Sequence, residues 1–177
     1  MKPKVTIRPQ RVSDAKRFFE ILSNPAFRYI PASAETLEQE IKFLRLNREK
    51  RRARIEYNFS ILRAGLVVGG IGVRINIHYP YVGEAGYFVD EKFWDQGIAP
   101  AALGELEAFA FETLKVQRLE ILVATPNARS EKVAIKCGYA PEGRLRRRLF
   151  ARGVFYDCYL YAKVRGRETA VYKGKKI

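Results

Sequence analysis

The amino-acid sequence predicts an α/β protein built on a mixed sheet. Three observations predict it. Seven short runs rich in β-branched, leucine and aromatic residues read as strands. Four segments with apolar residues at helical spacing read as helices. The two kinds alternate, in the order strand, two helices, three strands, helix, strand, helix, two strands, as an α/β chain requires. The 177 residues are ample for one core, and 47% hydrophobic with 29% charged residues describes a folded chain and not a disordered one.

Val5 to Arg8 is the first strand. Ser13-Asp14-Ala15 offers an N-cap to a helix in which Phe18, Ile21 and Leu22 share a face. Asn24-Pro25 stops it. A second helix is expected from Ser33 or Ala34, with Leu37, Ile41 and Leu44 as its buried stripe. Its later part, with the residues just after it, carries Lys42, Arg45, Arg48, Lys50, Arg51, Arg52 and Arg54, with no acid run to offset them. Tyr57 to Leu62 and Leu66 to Ile77 are strands about the turn Arg63-Ala64-Gly65. Gly69-Gly70 and Gly72 indicate a bulge or a tight contact in the second of them. Val82 to Val89 is a strand, Asp90 to Gly97 a loop, and Ile98 to Leu114 a helix with Ala102, Leu103, Leu106, Phe109 and Ala110 inward. Pro100 is expected to delay that helix by one or two residues. Arg118 to Ala124 is a strand. Pro126-Asn127 opens a helix that runs to Cys137 and ends at Gly138. Tyr139 to Arg152 and Val154 to Val164 close the chain as a hairpin about Arg152-Gly153. One domain over 1–164 follows, with a basic, mobile tail over 165–177.

The net charge is +14, with 33 Lys and Arg against 19 acids. Such a surface draws polyanions, so a weak attraction for nucleic acid is expected. There is no aromatic pattern of an RNA-stacking sheet beside the basic residues. Cys137, Cys158 and the single His78 stand apart in sequence, which excludes a zinc site and reads as two reduced thiols and a loop histidine. No apolar run nears the roughly 20 residues that span a bilayer, and no apolar signal core opens the chain, so a cytoplasmic protein without membrane contact is expected.

The informative segment runs from Glu84-Ala-Gly-Tyr87 to Phe93-Trp-Asp-Gln-Gly-Ile-Ala99. A strand gives way to a glycine-bearing loop that opens a helix. Backbone N–H groups at a helix start have no internal partner, and with the helix dipole they hold phosphate. Four segments together resemble the GNAT N-acetyltransferase superfamily, in particular its ribosomal-protein (RimJ/RimL-type) branch. They are the opening strand with Ser13-Asp14-Ala15, the segment just quoted, Asn127-Ala-Arg-Ser130 leading to Lys136-Cys-Gly-Tyr139, and Glu142-Gly-Arg-Leu-Arg146 with Gly153 and Asp157.

The resemblance implies the GNAT fold, a twisted, mostly antiparallel sheet of about six or seven strands flanked by four helices. It implies acetyl-CoA as co-substrate and no metal. Gln96, Gly97, Ile98 and Ala99 would hold its pyrophosphate, the strand end Phe88-Val89 would pair with the pantetheine arm, and Asn127 would bond to that arm. Glu84 is the candidate base and Ser130 the candidate acid, although Glu84 also reads as a strand carboxylate paired with an arginine. Asp95 departs from the family's usual glycine, and Ala134 stands where many members carry an acidic tyrosine. The acceptor implied is a primary amine, foremost the N-terminal α-amine of a ribosomal or other protein. A small-molecule amine and a catalytically silent RNA- or ribosome-associated module remain as other readings, as do monomer and homodimer.

Overall fold

A computed structural model describes residues 4–31 and 34–166. Seven strands form one sheet: β1 (Val5–Pro9), β2 (Glu56–Arg63), β3 (Leu66–Ile75), β4 (Val82–Val89), β5 (Arg118–Ala124), β6 (Ala140–Ala151) and β7 (Val154–Val164). Their spatial order is β1-β2-β3-β4-β5-β7-β6. Every neighbouring pair is antiparallel except β4 and β5, which run parallel. The helices are α1 (Ala15–Leu22), α2 (Leu37–Arg52), α3 (Ile98–Ala108) and α4 (Ala128–Lys136). This is the mixed, mostly antiparallel sheet with four helices that the sequence predicts. The expected tail falls largely outside the described residues, which end at 166.

Strand alternation divides the core between the two sheet faces. Ala85 and Val89 of β4 pack with α3 residues Leu103 and Leu106, while Phe88 between them joins Phe18 of α1 and Phe27. Leu103 and Leu106 are fully buried, each contributing roughly 1.5–3 kcal/mol. Phe88 meets Phe18 and Phe27 edge-on, with ring centroids 5.5 and 6.3 Å away.

Several local expectations are corrected. Asp14 does not cap α1 with its side chain. Its carboxylate instead accepts from the Arg8 guanidinium (2.7 Å), the Arg11 N–H (2.9 Å) and the Ser60 hydroxyl (2.6 Å), joining β1, α1 and β2. Burial pushes this carboxyl up, but Arg8, Ser60 and the Arg11 amide outweigh it and hold it below its ordinary value. Helix α2 begins at Leu37 and not at Ala34, because the Thr36 hydroxyl caps the Gln39 N–H at 3.2 Å. The Gln39 side chain accepts from the Glu35 N–H at 2.7 Å, closing the cap from the other side. Ser33 lies outside the described residues. Leu37 is exposed, and the inward face of α2 runs through Glu40 and Leu44. Burial pushes the Glu40 carboxyl up.

Helix α3 starts at Ile98 without delay, since Pro100 is its third residue, where no N–H partner is needed. It widens into a π turn at Phe109–Thr113, so the α-helical part stops at Ala108. In β3, Ile61 faces Gly69 while Leu62 faces Val67, which leaves Val68 as a bulge. A side chain at Gly69 would put Cβ 2.2 Å from the Phe88 carbonyl oxygen. The glycine pair thus marks both a bulge and a close approach. Strand β3 ends at Ile75, before the expected Ile77, because the Asn76 side chain accepts the His78 and Tyr79 N–H groups and turns the chain.

Candidate active site

The site begins where two parallel strands part. Pairing of β4 with β5 covers only Val82–Glu84 against Arg118–Glu120, yet β4 continues to Val89 and β5 to Ala124. Phe88 faces Gly70 on β3, and the Asp90 N–H donates to the Val68 carbonyl at 2.8 Å. Main-chain groups alternate between strand edges, so those of Phe88 turn to β3 and those of Tyr87 and Val89 turn toward the gap. The Trp94 indole donates to the Val89 carbonyl at 2.6 Å. The Val89 N–H and the Tyr87 peptide groups remain facing the opening. Such an edge pairs with any extended chain that carries amides.

The loop after β4 supplies the second part. Asp90 caps the short turn Glu91–Phe93 through the Lys92 N–H (3.1 Å) and pairs with Arg17 of α1. Asp95 at φ +59° and Gly97 at φ +74° are both left-handed, and they bring the chain round into α3. Asp tolerates this region better than most residues. Among the described residues, the N–H groups of Gln96, Gly97, Ile98 and Ala99 bond to nothing in the protein. Pro100 has no N–H to add. Three or four amides at a dipole's positive end fit a diphosphate.

Helix α4 forms the facing wall. The Asn127 side chain accepts from the Ser130 N–H at 3.2 Å, capping the helix. The Tyr87 hydroxyl stands 3.0 Å from the Ser130 hydroxyl and donates to the Ser130 carbonyl at 3.2 Å. Burial pushes the Tyr87 phenol up to about 12, so it keeps its proton near neutral pH. The cleft between these parts holds about 780 Å³. Arg28, Arg129, Lys132 and Lys136 line it against Glu91 and Asp95, a balance that suits an anion.

Phe88, Val89, Gly97, Ile98, Ala99, Asn127 and Ser130 all line this cleft. The Phe88 ring packs toward α1, and its neighbours in sequence present the free strand edge. Gln96 does not line the cleft: its side chain folds back on the Lys92 carbonyl (3.1 Å) and Arg63. Glu84 lies outside as well, half-exposed and 3.6 Å from Arg148, at the point where β4 and β5 separate. Ala134 is fully buried in the core, so no hydroxyl faces the cleft there. Burial pushes the Cys137 thiol up, which leaves it protonated.

Three residues escape sequence reasoning. Tyr87 is the hydroxyl partner of Ser130, Trp94 holds the Val89 carbonyl, and Arg129 stacks 4.4 Å from the centre of the Trp94 ring. Tyr87 had a signal, since alternation places it with Ala85 and Val89 on the helix side of β4. Trp94 and Arg129 had none. Among the described residues, no group of three or more His, Cys, Asp or Glu could hold a metal ion. No helix there is long and apolar enough to cross a membrane.

A long ligand that carries amides along its middle and a diphosphate at one end meets both the open strand edge and the helix start. Coenzyme A thioesters have that form, and the class defined is an acyl-CoA-using transferase. The acetyltransferase (GNAT) domain matches residues 4–140, and the chain belongs to that family. It is an acetyl-CoA-dependent N-acetyltransferase. YoaA of Bacillus subtilis (strain 168), an uncharacterized N-acetyltransferase, is 28% identical over 161 residues, covering 88% of this chain and 90% of YoaA. Mycobacterium smegmatis RimJ, solved with a CoA-disulfide, superposes with TM-score 0.81 at 25% identity over 90% of this chain and 81% of RimJ. RimL, a ribosomal L7/L12 α-N-protein acetyltransferase solved with coenzyme A, has TM-score 0.82 and 18% identity over 90% of this chain and 93% of its own, a likeness of fold.

Proposed function

We propose that the chain acetylates the N-terminal α-amine of a protein, by direct attack of the amine on acetyl-CoA held in the cleft. The observation that carries the reading is the Tyr87–Ser130 hydroxyl pair set against the open edge of β4, one strand end away from the unpaired amides of Gln96 to Ala99. Acetyl-CoA supplies an activated acetyl thioester. The amides of 96–99 hold its diphosphate, with Asn127 as a further contact. The Val89 N–H polarises the thioester carbonyl. Ser130 donates a hydrogen bond to the leaving sulfur, and Tyr87 orients Ser130. Glu84 accepts the amine's proton through water from the far side of the strand gap.

An α-amine has a pKa of about 8 and is partly neutral at working pH, so a relayed carboxylate suffices as base. RimL, a ribosomal L7/L12 α-N-protein acetyltransferase, supports this acceptor class. The net charge of +14 disfavours cationic small-molecule amines. The catalytic unit is proposed to span 1–164. CoA is expected to raise the Tm of the wild type, of Ser130→Ala and of Glu84→Gln alike. Turnover with N-terminal peptides should fall about 100-fold in kcat for each variant. Failure of CoA to stabilise the protein, or unchanged kcat in both variants, overturns the assignment.

A further inference from the structure

The β6–β7 hairpin carries a second feature on the side of Glu84. Leu145 faces Cys158 and Leu149 faces Tyr156, so Arg146, Arg147 and Arg148 share the single position opposite Asp157. Three adjacent cations therefore stand in one bulge of an edge strand. Asp157 holds the bulge in shape: its carboxylate accepts the Arg147 N–H at 2.8 Å and the Arg144 guanidinium at 2.7 Å. Arg147 sits at φ +48°, a region that a residue with a side chain enters only at a cost. The fold thus maintains this bulge against local preference.

Its position decides its use. The Arg148 guanidinium is 3.6 Å from the Glu84 carboxylate, with the two side chains 52% and 42% exposed. A pair so open is weak and exchanges readily for another carboxylate. Arg146 and Arg147 make no ion pair among the described residues. Gly86, next on the Glu84 face of β4, has open space where a side chain would stand. An amine reaching Glu84 from this side passes the three arginines.

We infer that the Arg146–Arg148 bulge selects acceptors bearing a carboxylate within the first few residues after the amine. The inference rests on the N-terminal-amine reading above. Cations beside the base repel basic peptides, while a planar guanidinium fits a carboxylate with two parallel bonds. An extended acceptor advances about 3.3 Å per residue, which brings its second and third side chains within reach of Arg148 when the amine stands one water away from Glu84.

The test uses two N-terminal peptides that differ only at residues 2 and 3, Asp-Glu in one and Asn-Gln in the other. The wild type should favour the acidic peptide about tenfold in kcat/KM, with the difference in KM. The ratio should collapse toward unity in the Arg146→Gln/Arg148→Gln double variant and be partly restored when Arg148→Lys replaces the second change. A wild type that ignores the acids, or a double variant that keeps the preference, overturns the inference while leaving the N-terminal-amine reading intact. So does a double variant that loses salt-sensitive RNA affinity without a change in peptide ratio. If CoA stabilises the protein but neither peptide turns over, the amine reading fails and takes this inference with it.

Discussion

Asp95 shows how one residue can serve a backbone and strain a site. It occupies the left-handed region at φ +59° and lines the cleft beside the free amides of α3. Its carboxylate would repel a diphosphate held by those amides. Asp95→Gly removes the charge and keeps the turn, and should tighten CoA binding by about 1 kcal/mol. Calorimetry that finds equal or weaker affinity would remove Asp95 from the diphosphate's surroundings. The left-handed turn at Asp95 was legible only through the resemblance, whose usual residue there is the glycine that such a turn favours. The fate of Gln96 was not legible, because the chemistry of a glutamine does not say whether its side chain or only its amide faces a ligand. Ser130 was found through its segment. Its partner Tyr87 carried no signal beyond strand alternation.

At the scale of elements, the approach of β3 to β4 governs the strand gap. Gly69 admits the Phe88 carbonyl where any Cβ would stand 2.2 Å away. Gly69→Ala must push β4 aside, and should cost about 3 kcal/mol of stability in chemical denaturation and weaken CoA binding with it. Gly86→Ala on β4 has nothing within 4 Å of the new methyl and serves as the control. Equal stability of the two variants would show that the close approach does not constrain the sheet. Strand β4 and strand β5 were readable to the residue, since alternation and bounding turns delimit them. The start of α2 falls about three residues after Ala34, because the Thr36 hydroxyl and the Gln39 side chain accept the Gln39 and Glu35 N–H groups and so set the cap at Thr36.

Across the whole molecule, Asp14 joins the first strand, the first helix and the second strand around one buried carboxylate. Its folded pKa lies below its unfolded one. The stability it contributes is therefore fully present above its ordinary value of 3.8 and lost as pH falls through the lower folded value. Asp14→Asn leaves Arg8 without its partner and should lower stability near neutral pH by about 3 kcal/mol. The acid-side fall in Tm expected of the wild type below pH 3.8 should be smaller in the variant by the share of Asp14, while Glu56, Glu142 and Asp157, also held below their ordinary values, keep theirs. A wild-type profile flat through that range would exclude a depressed Asp14.

Sequence alone determined the kind and order of the elements, the loop that opens α3, and the family resemblance that follows from them. Each of these is a local matter, encoded in residue spacing, turn chemistry and caps within a few positions of the chain. Tertiary structure alone decided that β4 and β5 part after Glu84, that Tyr87 meets Ser130 from 43 residues away, and that Arg148 reaches Glu84. Those contacts depend on the register of strands brought together by the shared core. Register is set by packing across the whole sheet, and no short stretch of sequence carries it.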